Sequence, residues 1–226
     1  MSACPDDLKT IPERIFCQLR EAIVEGQIPA GSKISEADLA QTYGISRGPL
    51  REAISQLAAV GLVERRPNVG ARVIEMSSRQ LLDIYHVREA LEGMAARQAA
   101  SNMSDADIGL LRDMLGQHEA QINQKEGSTY FQQSGDLDFH YQIVLGSGNA
   151  HLIKLLCHDL YYLVRLYRYQ FGMRSKRGPA ALAEHQHIVD AIARGDGEMA
   201  ELLMRAHIRA SRENVERMLA GKTNTH

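Results

Sequence analysis

The sequence lacks any run of about 18 uncharged apolar residues, which is the minimum for a helix that crosses a bilayer. Its first residues, MSACPDDLKTIPERIF, contain acids where a signal peptide has its basic start, and they lack an apolar run before a small-residue cleavage site. Only three cysteines occur, and their odd number and wide spacing at Cys4, Cys17 and Cys157 predict neither a disulfide framework nor a CxxC metal knuckle. We therefore expect a soluble protein of the cytoplasm with no membrane partner.

The chain also lacks a large excess of charge of either sign. Lys and Arg number 26 and Asp and Glu 28 among 226 residues, so the formal net charge is -2. This balance gives no global indication of nucleic-acid binding, but basic residues need only be concentrated where a groove is touched. The length suffices for one large domain or two small ones, each with its own core.

A change of composition near residue 76 predicts two domains, 1–76 and 77–226. Before it, short helical patterns are broken by Gly and Pro, and after it long helical patterns contain hardly any proline. The early patterns are PERIFCQLREAIVE, then LAQTYG after a capping serine at Ser35, then ISRGPLREAISQLAAVG with Ser46 at its N-cap. The last two are separated by a three-residue turn, which is helix-turn-helix spacing.

The segment that follows, LVERRPNVGARV, predicts two short strands of a wing around a Pro/Asn/Gly turn. Between residues 47 and 72 there are five arginines and two glutamates, a local excess of three positive charges in a net acidic chain. Arg47 and Arg51 lie one turn apart at the start of the third helix, where the helix dipole also favours phosphate. One can bond a guanine edge while the other contacts the DNA backbone. The alternative is a solvated helix end beside a polar hairpin.

The residues ISEADLAQTYGISRGPLREAISQLAAVGLVERRPNVGARV resemble the winged helix of GntR-type bacterial transcription regulators. The resemblance implies that the arginine at the start of the recognition helix, the arginine one turn later and the wing tip contact operator DNA, with two strand arginines as phosphate contacts. The predicted DNA-binding residues are Ser46, Arg47, Arg51, Arg65, Arg66, Asn68 and Gly70.

No strand pattern interrupts the second part of the chain, which predicts an all-helical bundle. The expected fold class is therefore mainly α: an N-terminal winged helix-turn-helix domain followed by a helical domain of about six helices. Helix-end residues divide it into patterns at roughly 78–101, 104–125, 128–146, 150–171, 178–194 and 196–220.

Four of these helices carry a polar side chain in phase with an apolar stripe: Arg88 in the first, His185 in the fifth, His207 in the last, and both Asp136 and His140 in the third. Taken alone, the DLDFH pair is open to reading as a catalytic pair, a metal site or a solvated patch, because residues four apart share a helix face. Burying these groups separately would cost several kcal/mol, whereas one ion satisfies them together. The histidines that lack this phase are His86, His118, His151, His158, His187 and His226.

The segments DLDFH, SGN, EHQHIVDAIARGD and MRAHI resemble the FCD-type effector domain of FadR-like GntR regulators, in its VanR-like branch. The resemblance implies a divalent metal ion held by Asp136, His140, His185 and His207. Zinc fits this set, with nickel, manganese or iron as alternatives. It also implies that Arg88 pairs with the carboxylate of an effector, since a guanidinium binds a carboxylate bidentately.

The sequence thus favours a homodimeric regulator that binds double-stranded operator DNA under the control of a small organic acid. Two alternatives stay open. A metalloenzyme could use the same histidines, but the chain has no HExxH motif, no P-loop and no ExxH pair of a di-iron bundle. A metal-responsive regulator without an organic effector is the other, and Arg88 argues against it, because a pure metal sensor needs no cation beside its ion.

Overall fold

The computed structural model describes residues 10–66, 70–124, 139–170 and 177–223. The chain divides into two compact units by its contacts. The first consists of Met1–Ser77 with His158–Gly172, and the second of Ser78–Cys157 with Met173–His226. None of the described helices is long and apolar enough to span a membrane.

The first unit contains the predicted winged helix-turn-helix. Its elements are α1 Ile11–Val24, β1 Lys33–Ile34, α2 Glu36–Tyr43, α3 Arg47–Ala59, β2 Val63–Arg66 and β3 Gly70–Val73. Strand β3 lies at the centre of a three-stranded antiparallel sheet, between β1 and β2. Strands β2 and β3 form the expected wing, with Arg66 opposite Gly70. Asn68, which lies between β2 and β3 in the sequence, is outside the described residues.

Local chemistry explains the helix-turn-helix. The side chain of Ser35 accepts a hydrogen bond from the backbone N–H of Asp38 and so begins α2, and Gly44 ends it in the left-handed conformation at φ 62°. Ser46 occupies the N-cap position of α3 as predicted, but its side chain makes no capping hydrogen bond. The Ser46 hydroxyl therefore does not stabilise the start of α3.

The core of the first unit includes a helix that is distant in sequence, α8 Tyr161–Gln170. Leu166, on α8, is buried in the same cluster as the apolar faces of α1 and α3. Arg20 on α1 donates a hydrogen bond to the hydroxyl of Tyr162 at 2.8 Å, and Arg165 donates to Glu21 at 2.9 Å. By sequence position α8 falls within the predicted domain 77–226, but by its contacts it belongs to the first unit.

The second unit is helical throughout its described part. Its elements are α4 Ser78–Asn102, α5 Asp105–Gln124, α6 Phe139–Gly146, α7 Ala150–Ile153, a π-helical segment Lys154–Leu160, α9 Gly178–Ala193 and α10 Gly197–Thr223. Helices α4 and α10 pack closely, because a Cβ atom added at Gly93 would lie 2.6 Å from the side chain of Arg205. Helix α9 packs against α4, α5 and α10, and α6 packs against α4.

Two features differ from the sequence prediction. The helix expected at 150–171 contains the π-helical segment, whose wider turns bond residue i to i+5 and so shift the phase of the side chains that follow. Cys17 is disulfide-bonded, which the spacing of the cysteines does not predict.

The burial of Leu166 allows a test of whether α8 completes the core of the first unit. Leu166 is only 2% exposed, so Leu166→Ala should destabilise the first unit by about 2–5 kcal/mol. Hydrogen exchange of the α1 and α3 amides should then accelerate by about tenfold or more. The matched control is Leu155→Ala, because that side chain is 42% exposed. Unchanged exchange in α1 and α3 of the Leu166 variant would show that α8 is not part of this core.

Candidate metal centre and DNA-binding surface

Three helices of the second unit bring three imidazole rings together. His140 lies on α6, His185 on α9 and His207 on α10, and each is buried. The Nε2 atom of His207 lies 3.2 Å from the Nε2 of His185 and 3.2 Å from the Nε2 of His140. The ring of Phe139 stacks on His185 with centroids 4.0 Å apart and closes one side of the cluster. Three of the four predicted metal ligands therefore meet, and the fourth, Asp136, lies outside the described residues.

Two carboxylates hold the far sides of these rings. The Oε2 of Glu92, on α4, lies 2.7 Å from the Nδ1 of His140. The Oε2 of Glu184, on α9, lies 2.7 Å from the Nδ1 of His207. A carboxylate at Nδ1 keeps the ring proton on that nitrogen and leaves the Nε2 lone pair directed at the cluster. The lone pairs of His140 and His207 then face one another across 3.2 Å and repel, so the arrangement is suited to a cation placed among the rings.

Each carboxylate is also paired with an arginine. The Nε of Arg88 donates to Glu92 at 2.5 Å, and Nη2 of Arg177 donates to Glu184 at 2.6 Å. Burial by itself would raise the pKa of Glu92, but the positive charge of Arg88, followed by the interaction with His140, outweighs it and holds that pKa well below its usual range. Glu92 is thus an anion inside the bundle, and its carboxylate lies between the side chains of Arg88 and His140.

The electrostatics keep two of the histidines neutral. Burial lowers the pKa of His207 to about 4, although the hydrogen bond that its Nδ1 donates to Glu184 acts in the opposite direction. Burial, followed by the charges of His207 and His140, holds the pKa of His185 well below its usual value. Both rings are therefore neutral at neutral pH, which is the form that binds a metal ion.

Helical phase alone does not identify every residue around the cluster. His118, on α5, is buried, and its charge contributes to the low pKa of His185. Glu92 could have been found, because it stands one turn after Arg88 on the same face as an opposite charge. Glu184 is only half-buried and directly precedes His185, so periodicity gives no signal for it.

The predicted DNA-binding residues of α3 lie on the surface of the first unit. Ser46 and Arg47 are exposed at the start of the helix, and within the described ranges no carboxylate pairs with Arg47. Arg51, one turn later, is also exposed, but its Nε lies 2.7 Å from a carboxylate oxygen of Glu36 on α2. Arg51 would have to exchange this ion pair for a contact with DNA, whereas Arg47 would not.

The wing arginines are also engaged with neighbours. Arg65 donates to the hydroxyl of Ser55 at 2.9 Å, and Arg66 lies 2.8 Å from a carboxylate oxygen of Glu64. Gly70 is exposed at the wing with φ 95°, a left-handed conformation that glycine adopts without strain. These groups are exposed, so the cost of releasing them to phosphate is small.

A winged helix-turn-helix with an exposed basic face, carried on the same chain as a helical unit with a buried histidine cluster, defines a DNA-binding regulator with a second, helical domain. The chain belongs to the gntR family of bacterial regulatory proteins, whose family model matches residues 11–73. The model of the FCD domain matches residues 83–210. It is a transcriptional regulator and not an enzyme, so the metalloenzyme alternative falls away.

Similar proteins agree with this assignment. A probable D-xylose utilization operon transcriptional repressor from Paenarthrobacter nicotinovorans is 32% identical over 203 residues, which cover 87% of this chain and 86% of that protein. The transcriptional repressor RspR from Escherichia coli K12 is 28% identical over 208 residues, covering 92% and 90%. The solved structure of McbR/YncC from E. coli shares the fold at a TM-score of 0.71 and 20% identity, covering 94% of this chain and all of that one.

Proposed function

We propose that this regulator is a homodimeric repressor whose affinity for double-stranded operator DNA is controlled by a small organic acid, bound beside a divalent metal ion in the helical unit. The observation that carries the proposal is the cluster of three buried Nε2 atoms, two of whose rings are held by carboxylates at Nδ1. The sign of regulation is inferred from the relatives that are named as repressors.

The donor set fits one ion. In a tetrahedral zinc site with bonds of about 2.0–2.1 Å, neighbouring nitrogens lie about 3.3–3.4 Å apart. The two Nε2 separations around His207 are each 3.2 Å, close to this value. Imidazole ligands suit zinc, and also nickel and iron, whereas a carboxylate such as Asp136 would extend the set toward manganese. The ion would supply positive charge and open positions, and His140, His185 and His207 would hold it.

The effector class follows from the charge beside the cluster. An organic anion between a divalent ion and the Arg88 guanidinium would make charge-assisted hydrogen bonds that a neutral analogue cannot make. One observation favours the second candidate, a metal-responsive regulator without an organic effector: Glu92 already balances the charge of Arg88. Only the response to carboxylates separates the two.

On the DNA side, the proposal assigns sequence reading to the start of α3 and phosphate contacts to the wing. Arg47 is the leading base-reading residue because, within the described ranges, it has no ion pair to give up. Arg51 and Ser46 support it on the same helix end, and Arg65 and Arg66 supply positive charge from the wing. In a dimer the two reading helices would contact two half-sites, so a palindromic operator is expected.

Arg47→Ala should weaken operator binding by about 1–3 kcal/mol and relax the preference at one base position. An operator selected from random duplexes, measured by fluorescence anisotropy at a fixed salt concentration, gives both quantities. Arg217→Ala is the matched control, because it removes the same charge from an exposed position on α10. If the Arg47 variant binds the selected operator as tightly as the parent does, α3 is not the reading helix.

The effector is tested by screening small mono-, di- and tricarboxylates, with their neutral amides, for release of the operator. An effector acts only through its different affinity for two arrangements of the protein, so a change in operator affinity of about 5- to 150-fold is expected. Arg88→Met should abolish the response. Arg97→Met is the control, because this arginine lies on the same helix but pairs at the surface with Glu198 and Glu201. A neutral active compound, or an unchanged response of the Arg88 variant, would contradict the proposed site.

A further inference from the structure

A single buried carboxylate contacts both parts of the proposed effector site. Glu92 is 4% exposed, and its Oε1 accepts from the Nε of Arg88 at 2.5 Å while its Oε2 lies 2.7 Å from the Nδ1 of His140. Arg88 and Glu92 stand one turn apart on α4, and His140 reaches them from α6. The carboxylate therefore joins the arginine assigned to the effector with a histidine assigned to the metal.

We propose that Glu92 is a positioning residue that couples the effector arginine to the metal centre, so that a change at Arg88 alters metal binding through His140, and the reverse. The inference rests on the proposed function, because it takes the histidine cluster as a metal site and Arg88 as the effector group. The sequence analysis names neither Glu92 nor a connection between Arg88 and the metal ligands.

The coupling follows from one negative charge that lies within 2.7 Å of two nitrogen atoms, the Nε of Arg88 and the Nδ1 of His140. A carboxylate that bonds Nδ1 raises the basicity of the imidazole as a ligand, and such outer partners typically change metal affinity by about 10- to 100-fold. When Arg88 turns toward another anion, more of the charge of Glu92 is directed at His140, and the ring becomes a stronger ligand. Linkage makes the effect reciprocal, so an ion bound to His140 should loosen the hold of Glu92 on Arg88.

Glu184 provides an internal comparison. It makes the same 2.7 Å contact with the Nδ1 of His207, but its arginine is Arg177, at the start of α9. The side chain of Glu184 is 34% exposed and that of Glu92 is 5% exposed. Water screens the carboxylate of Glu184 more strongly than that of Glu92. The arginine that pairs with Glu184 is Arg177, which is not assigned to the effector. Glu184 should therefore support the metal without connecting it to Arg88.

The test is a double-mutant cycle on zinc affinity alone, measured in the full chain by competition with a chromophoric chelator and with no organic acid present. The first cycle compares the parent, Arg88→Met, Glu92→Gln and the double variant. The second cycle repeats Arg88→Met in the Glu184→Gln background, with Glu184→Gln alone as its reference. Glutamine keeps the shape of Glu92 but offers an acceptor oxygen to only one of its two donors.

We expect Glu92→Gln and Glu184→Gln each to weaken zinc binding by about 10- to 100-fold. Arg88→Met should tighten zinc binding by about fivefold in the parent and Glu184→Gln backgrounds, and by less than about twofold in the Glu92→Gln background. An equal effect of Arg88→Met in all three backgrounds would overturn the coupling. The charge of Arg88 would then act on the zinc ion directly and not through Glu92. A parent that binds no zinc would overturn the proposed metal centre and this inference together, whereas zinc binding with an additive cycle overturns this inference alone.

A second measurement covers the case in which Arg88→Met fails to fold. Arg88→Lys keeps the positive charge but removes the Nε–H donor, and it replaces Arg88→Met in the cycle. In the metal-free protein, long-range proton–nitrogen NMR of the imidazole rings should show the proton of His140 on Nδ1. Glu92→Gln should change the His140 signals and Glu184→Gln should leave them in place. Unchanged His140 signals in the Glu92 variant would contradict the positioning role.

Discussion

The structure depends on how three buried imidazole nitrogens face one another inside a helical bundle. The Nε2 atoms of His140, His185 and His207 meet with 3.2 Å separations around His207, and carboxylates at two Nδ1 atoms direct the lone pairs inward. Such an arrangement is costly in an apolar interior unless a cation or a proton compensates it. It connects α4, α6, α9 and α10 at one point, since each contributes a ligand or a supporting charge. Removing the compensation should loosen the packing of these helices, which makes the cluster suited to sensing.

The core of the first unit, which carries the winged helix-turn-helix, also depends on residues that are distant in the sequence. Its winged helix-turn-helix is built from local signals, but its core is completed by α8, through Leu166 and the contacts of Arg20 with Tyr162 and of Glu21 with Arg165. Helix α8 follows directly on the π-helical segment of the chain. The residues of α8 that complete the core of the first unit therefore lie within the part of the sequence that the FCD model matches, residues 83–210.

Much of this was predictable because the signals are local. The N-cap at Ser35 and the strands of the wing depend on neighbours a few residues away, and the structure has them where the sequence predicts them. The histidine cluster was predictable from phase, since His185 and His207 each continue an apolar stripe. Periodicity does not show which side chain or helix packs against a given helix face. The contact of Glu184 with His207 and the contacts of α8 follow from three-dimensional neighbours, and the π-helical turns break the period on which the prediction rests.

The central claim is that three imidazoles bind one metal ion, and X-ray absorption at the metal edge tests it most directly. Protein purified without a histidine tag and without chelator should contain about one divalent ion per chain, with three imidazole nitrogens at about 2.0–2.1 Å. The imidazole count should fall in His185→Ala, and His86→Ala, which changes an exposed ring on α4, should retain it. Protein that contains no metal, or a metal bound by sulfur or by oxygen alone, would contradict the account.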